Sequence, residues 1–224
     1  YIICQIHRMI SFLYSVGMYI EQAKNTWQKI WPVLNKKYKR SETFLNFTNT
    51  WELLVAVILS AQMTDEGVNA ITGELFKKFP TVESMAKAPI LEITKYVKKV
   101  NYFNSKARYL KETAQIIQKD FNGQVPNNAE DLMKLSGVGR KTAVAVLANG
   151  FNQYIGIAVD THVIRFVKRF KLSKHTDATK IEQDLLKIIL KKHWNAASYA
   201  IKEYGRKEGR ARGYKPEEDP IWKV

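Results

Sequence analysis

Two glycines, a lysine and an aspartate are the residues whose types and spacing are best suited to chemistry. Gly137 and Gly139 stand in the run Leu135-Ser136-Gly137-Val138-Gly139-Arg140-Lys141-Thr142-Ala143. Asp160, 19 positions beyond Lys141, opens Asp160-Thr161-His162-Val163. A Gly-x-Gly turn between helices leaves backbone N–H groups uncovered, and with the N-terminus of the following helix they can converge on one phosphate. That contact fixes register on a nucleic acid without reading a base; a plain corner between helices would use the same glycines. Lys141 falls in the first turn of the second helix, where a cation opposes the helix dipole. That field, with partial burial, would lower its pKa from an ordinary value of about 10.4 towards the neutral amine that attacks a sugar C1′ to give a Schiff base. A lysine touching phosphate is the alternative. Asp160 can cap the helix it precedes, or its carboxylate can steady an oxocarbenium-like sugar or relay protons to the lysine. Its negative charge would raise the lysine pKa, so it cannot be what lowers it.

The elements that must position these residues read as short helices joined by turns. Trp51 to Gln62 is apolar nearly all round, as expected of a central buried helix. Asp65 can cap a helix running to about Phe79, stopped by Pro80. Pro89 starts another, to about Lys99. Ala107, Leu110, Ala114, Ile117 and Phe121 are spaced as one helical face over Ser105 to Phe121, ended by Asn122-Gly123. A short helix from Ala129 to Lys134 enters the glycine turn, and Arg140 to Ala148 leaves it, with Leu135, Val138 and Ala143 set to pack the pair. Thr161 to Phe170, Asp177 to Lys191 and Trp194 to Tyr204 complete the set, and the tail from Gly205 reads as irregular. No strand-like alternation recurs, which predicts an all-α protein.

The chain of 224 residues has 36 Lys+Arg against 21 Asp+Glu, a formal net charge of +15, and a pI near 9.7. Such a surplus favours polyanions by counterion release; a generically basic protein or one touching anionic membrane would share it. The single cysteine, Cys4, excludes an internal disulfide framework and a four-cysteine metal site, and four histidines leave little for a metalloprotein. That usage predicts a cytoplasmic protein. Residues 1–17 form an extension whose apolar run is too broken by Gln5, His7 and Arg8 for a membrane span, and Met18 is a plausible start. No membrane partner is expected.

Taken together, the pieces LLVAVILSAQMTDEGVN, YFNSKA, NGQVP, LSGVGRKTA and AVDTHV, in that order between Trp51 and Tyr204, resemble the helix–hairpin–helix superfamily of DNA glycosylases, and within it the endonuclease III branch. The resemblance implies an all-α, two-domain fold: a six-helix barrel over residues 43–153, with the helix–hairpin–helix motif at about 130–148, and a terminal helical domain of residues 18–42 and 154–224. It implies excision of oxidised pyrimidines from double-stranded DNA, then β-elimination at the abasic site. Lys141 matches the Schiff-base lysine and Asp160 the catalytic aspartate. Gly137, Val138, Gly139, Arg140 and Thr142 match the hairpin that holds the DNA backbone. Gln62 matches the residue that fills the hole left by the flipped nucleotide; a helix-end amide is its other reading. Tyr102 occupies the place of an apolar wedge, usually leucine, with core packing as its other reading. Asp65 and His162 match positions near the pocket, although capping also explains Asp65.

One departure is plain. The endonuclease III branch commonly carries a four-cysteine iron–sulfur loop after its last helix, and Gly209 falls where the first ligand would be. No iron–sulfur cluster, and no other cofactor, is therefore expected. A basic run of Arg206, Lys207, Arg210, Arg212 and Lys215 stands there, able to reach phosphates or simply to be solvated. A monofunctional or mismatch-directed glycosylase of the same superfamily would need no lysine at position 141. A non-catalytic hairpin module would need neither Lys141 nor Asp160. Repair of one lesion requires only a monomer.

Overall fold

The computed structural model describes residues 2–39, 43–209 and 213–224, with side chains described from residue 17 onward. Arg210 and Arg212 lie outside the described residues. All regular elements among those described are helical. None of the helices is long and apolar enough to cross a membrane, over the same residues. The chain divides into two compact units, Glu42–Ile155 and the combination of Tyr1–Ser41 with Gly156–Val224.

The unit Glu42–Ile155 holds α2 (Thr50–Leu59), α3 (Asp65–Lys78), α4 (Val82–Lys87), α5 (Ile90–Val97), α6 (Phe103–Asp120), α7 (Ala129–Leu132) and α8 (Arg140–Phe151). The Asn49 side chain caps α2 by accepting from the Glu52 amide at 3.0 Å, a contact worth about 1 kcal/mol. Beyond the cap, Leu53, Leu54, Val55, Ala56 and Leu59 are wholly enclosed, because α3, α6 and α8 surround the helix. The face of α6 spaced for burial is buried: Ala107, Leu110, Ala114 and Ile117 are inaccessible to solvent. Each such Leu or Ile contributes roughly 1.5–3 kcal/mol. The sequence reading passed over α4, whose six residues are too few to show a period. Its signal is local, a capping box in which Thr81 and Ser84 satisfy each other's amides at 3.1 Å.

The second unit contains α1 (Ile2–Lys37), α9 (Thr161–Arg169), α10 (Ala178–Ile188) and α11 (Trp194–Lys207), with single 3-10 turns at Lys191–His193 and Pro216–Glu218. Ala23, Trp27, Ile30 and Leu34 recur at helical spacing on α1 and are buried against α10 and α11. The α1 backbone runs unbroken past residues 17 and 18, so no structural boundary marks the expected start of the terminal domain. The core is completed by Phe166, Val167, Leu185, Ile201 and Tyr204.

Candidate active site

The turn Leu135–Gly139 joins α7 to α8, and its shape is imposed from beneath. Gly137 has φ +77, and a Cβ there would lie 2.8 Å from Cδ2 of Tyr109. Only glycine satisfies both the left-handed backbone and the ring beneath it. Thr113, one turn further along α6, donates its hydroxyl to the Ser136 carbonyl at 2.9 Å. Leu135, Val138 and Ala143 are buried and close the corner, as their spacing suggested. Gly139 differs from the expectation that both glycines serve the turn. It sits at φ −95 and ψ 179, which any residue adopts, and a Cβ on it would meet nothing within 4 Å. Neither backbone angle nor crowding therefore requires glycine at 139, and the open space above it leaves room for close approach. As the N-cap of α8 it offers no side-chain acceptor to that helix's first amides, so the positive end of the dipole is left for an anion.

Lys141 is the second residue of α8 and is exposed, as are Gly139 and Arg140, with Thr142 half-buried. The partial burial expected of Lys141 is not present in the chain by itself. The turn lifts the first residues of α8 away from the packed side of the helix, which Ala143, Val144 and Leu147 occupy.

Within the same unit, Gln62 and Tyr102 are both exposed, Tyr102 by 66%. Core packing is thereby ruled out for Tyr102. Both residues hold left-handed backbone, each with φ +56. The Asn101 side chain donates to the Gln62 carbonyl at 2.8 Å. Lys106, only 3% exposed, donates its ammonium to the carbonyls of Leu59 and Ala61 at 2.7 and 2.6 Å. Burial pushes that ammonium below the usual lysine range. Sequence reasoning passed over Lys106, Asn101 and Tyr109. The available signal for Lys106 was a lysine on the apolar stripe of α6, in register with Leu110 and Thr113.

Asp65 is buried but does not cap α3. Thr64 does, its hydroxyl accepting from the Gly67 amide at 3.1 Å. Asp65 is the first helical residue, 6% exposed. Adjacent capping-type residues make this one-residue ambiguity inevitable from sequence.

Asp160 lies in the other unit. It is the N-cap of α9, Oδ1 accepting from the amides of His162 at 2.8 Å and Val163 at 3.0 Å. Both bonds use one oxygen, so the cap leaves Oδ2 for other work. His162 packs against Gly205, where a Cβ would come within 2.3 Å of Nδ1, and the same ring nitrogen lies 3.1 Å from the Arg165 guanidinium. Burial holds the imidazole below its usual range, outweighing the opposing pull of Asp160.

α11 runs on to Lys207, and beyond it the described tail has only the 3-10 turn Pro216–Glu218 as regular structure, yet side-chain contacts pin it. Asp219, 2% exposed, accepts from the hydroxyls of Tyr204 and Tyr214, the latter at 2.6 Å, and from the Ile221 amide at 2.8 Å. Arg169 donates to the Tyr204 hydroxyl at 2.8 Å and lies 3.4 Å over the Tyr214 ring. Burial and the Asp219 carboxylate push the Tyr214 phenol up to about 12. A Cβ at Gly209 would meet the Tyr204 ring at 2.6 Å. An iron–sulfur cluster requires four thiolates and the chain has one cysteine, while Tyr204 fills the space a ligand side chain at 209 would use. The residues present do not fit such a cluster. No group of three or more His, Cys, Asp or Glu able to hold a metal occurs among the described residues.

Residues 55–191 match the model of the HhH-GPD superfamily of base excision DNA repair proteins. Endonuclease III of Synechocystis is 40% identical over 174 residues, covering 78% of this chain and 80% of the relative. A trapped endonuclease III–DNA covalent intermediate superposes with a TM-score of 0.84 at 33% identity, covering 88% of this chain and 93% of that one. A non-covalent endonuclease III–DNA complex superposes with a TM-score of 0.85 at 33% identity, over 90% and 94%.

Proposed function

Because the chain belongs to the HhH-GPD superfamily of base excision DNA repair proteins, we propose that it excises oxidised pyrimidines from double-stranded DNA and then cuts the strand at the abasic site. The observation that carries this reading is the start of α8, which has no side-chain cap and presents an exposed Lys141 two residues beyond a glycine that neither backbone angle nor crowding requires. The likeness to endonuclease III held covalently on DNA supports it.

The hairpin amides grip one phosphate, and an extruded nucleotide exposes its C1′, which is shielded in a stacked duplex. The Lys141 amine, as the free base, attacks C1′; the C1′–N bond breaks and the base leaves with the bonding pair and a proton. The Lys141 nitrogen loses its proton, and the sugar ring opens as O4′ departs from C1′ and is protonated, leaving a C1′=N Schiff base. Water takes a C2′ proton, the C–H pair becomes the C2′=C3′ double bond, and the 3′ phosphate leaves with the C3′–O pair. Water then hydrolyses the Schiff base and frees Lys141. Asp160 Oδ2 steadies the positive charge that develops on the sugar. Gln62 fills the vacated space and Tyr102 stacks between bases. DNA closing over Lys141 supplies the desolvation that the chain alone does not. The chain acts as a monomer in the cytoplasm, and at the nucleoid if the cell is bacterial, which suits its single cysteine.

The test is a duplex carrying an oxidised pyrimidine, with released base and cleaved strand measured together. Both products are expected from the native protein, and base release without strand cleavage would remove the lyase assignment. Asparagine caps a helix as well as aspartate. Asp160→Asn should therefore keep stability and binding while turnover collapses; a proportionate loss of binding and turnover would leave Asp160 only its cap.

A further inference from the structure

The two residues assigned to enter the duplex stand on backbone that ordinary side chains resist, Gln62 and Tyr102 each at φ +56. Something must hold them there, and two residues tie the Gln62 loop to the segment that presents Tyr102. Lys106 stands on that segment, its amide making the ordinary first helical bond of α6 to the Tyr102 carbonyl at 3.0 Å. Its ammonium donates to the Ala61 carbonyl, in the peptide that carries the Gln62 nitrogen. Asn101, the residue before Tyr102, donates its side-chain amide to the Gln62 carbonyl and its backbone amide to the Met63 sulfur at 3.4 Å. Lys106 and Asn101 thus bracket Gln62 from both sides while standing on the segment that presents Tyr102.

Stability alone does not account for Lys106. Burying an ammonium against two carbonyls carries a desolvation cost that an apolar side chain of the same length would avoid. What the ammonium supplies is a fixed direction: it neutralises the C-terminal end of α2 and ties the carbonyls of Leu59 and Ala61 to α6.

We infer that Lys106 and Asn101 are positioning residues that lock Gln62 and Tyr102 at one separation, ready to occupy duplex DNA when a nucleotide leaves the stack. The inference rests on the glycosylase reading above. The geometry is set before DNA arrives, so binding does not have to order either loop. Tyr109 and Thr113, further along α6, hold the hairpin turn, so a single helix spaces the inserting pair from the phosphate grip.

The experiment places 2-aminopurine opposite an abasic-site analogue in a duplex and reads its fluorescence on binding. Borohydride trapping is compared in parallel on duplex and single-stranded abasic DNA, since only the duplex has a stack to enter. Asn101→Ala and Lys106→Met are each expected to weaken the fluorescence change and to lower the duplex-to-single-strand rate ratio roughly tenfold. Asn101 is exposed, so its variant folds even if the Lys106 variant does not. If both variants keep the native fluorescence change, or if duplex and single-strand rates fall in step, the positioning role is overturned. Should the native protein trap neither substrate, the lyase reading fails, and this inference with it.

Discussion

Substituting the two hairpin glycines separately distinguishes what the fold needs from what DNA needs. At Gly137 an alanine must adopt φ +77, which costs roughly 1–2 kcal/mol. Its Cβ would also lie 2.8, 3.0 and 3.1 Å from three atoms of Tyr109, and overpacking of that kind costs about 1–3 kcal/mol. Gly137→Ala should therefore lose about 2–5 kcal/mol of unfolding free energy. At Gly139 the backbone is extended and the space open. A poorer N-cap and a less flexible unfolded chain oppose each other at about 0.5–1 kcal/mol each, so stability should hold within about 0.5 kcal/mol. The methyl group would instead stand where a phosphate approaches, and affinity for abasic duplex should fall at least about tenfold, or 1.4 kcal/mol. Tryptophan fluorescence in denaturant gives the first quantity and anisotropy titration at fixed salt the second. A Gly139→Ala protein that binds as the native protein does, or loses as much stability as Gly137→Ala, would refute the division of labour.

Three further outcomes follow from the same contacts. Asp219→Asn leaves the buried Tyr204 phenol and the half-buried Tyr214 phenol facing an amide and should cost about 2–4 kcal/mol in denaturant unfolding; a change below about 0.5 kcal/mol would show that the tail is not pinned there. His162 has its folded pKa held below the ordinary 6.5, so on acidification the unfolded chain takes up a proton before the folded one does. Stability contributed by the neutral ring is present above pH 6.5 and declines as pH falls towards the folded value. His162→Gln should flatten that decline in urea midpoint, and identical pH profiles would contradict it. Affinity for duplex DNA should fall steeply and log-linearly with salt; a flat response would count against the phosphate grip.

The candidate site, as proposed, was legible where its signals are local. Gly137, Lys141 and Asp160 lie in short windows whose helix ends follow from glycine, apolar spacing and a capping carboxylate, and α6 declared its buried face by period alone. What escaped reading depends on distance in sequence. Asp219 meets Tyr204 from 15 positions away, and nothing in GYKPEEDP marks an acceptor for a buried phenol, so the anchoring of the tail went unread. Lys106 reaches carbonyls 45 and 47 residues back, and a lysine in a helix is ordinarily read as solvated. Gly139 resembled its neighbour in the motif, yet only the backbone angles separate a glycine the turn requires from one it does not. Thr64 and Asp65 are both good caps, and the sequence does not separate them, whereas in the fold Thr64 takes the cap and Asp65 is buried as the first helical residue.

The central claim is that the Lys141 amine forms the bond to the sugar. Borohydride reduction during reaction with abasic duplex, followed by proteolysis and mass spectrometry of the cross-linked peptide, tests it directly. A reduced sugar adduct is expected on Lys141, and none with Lys141→Gln under the same conditions. An adduct on another amine, or undiminished trapping by the variant, would contradict it.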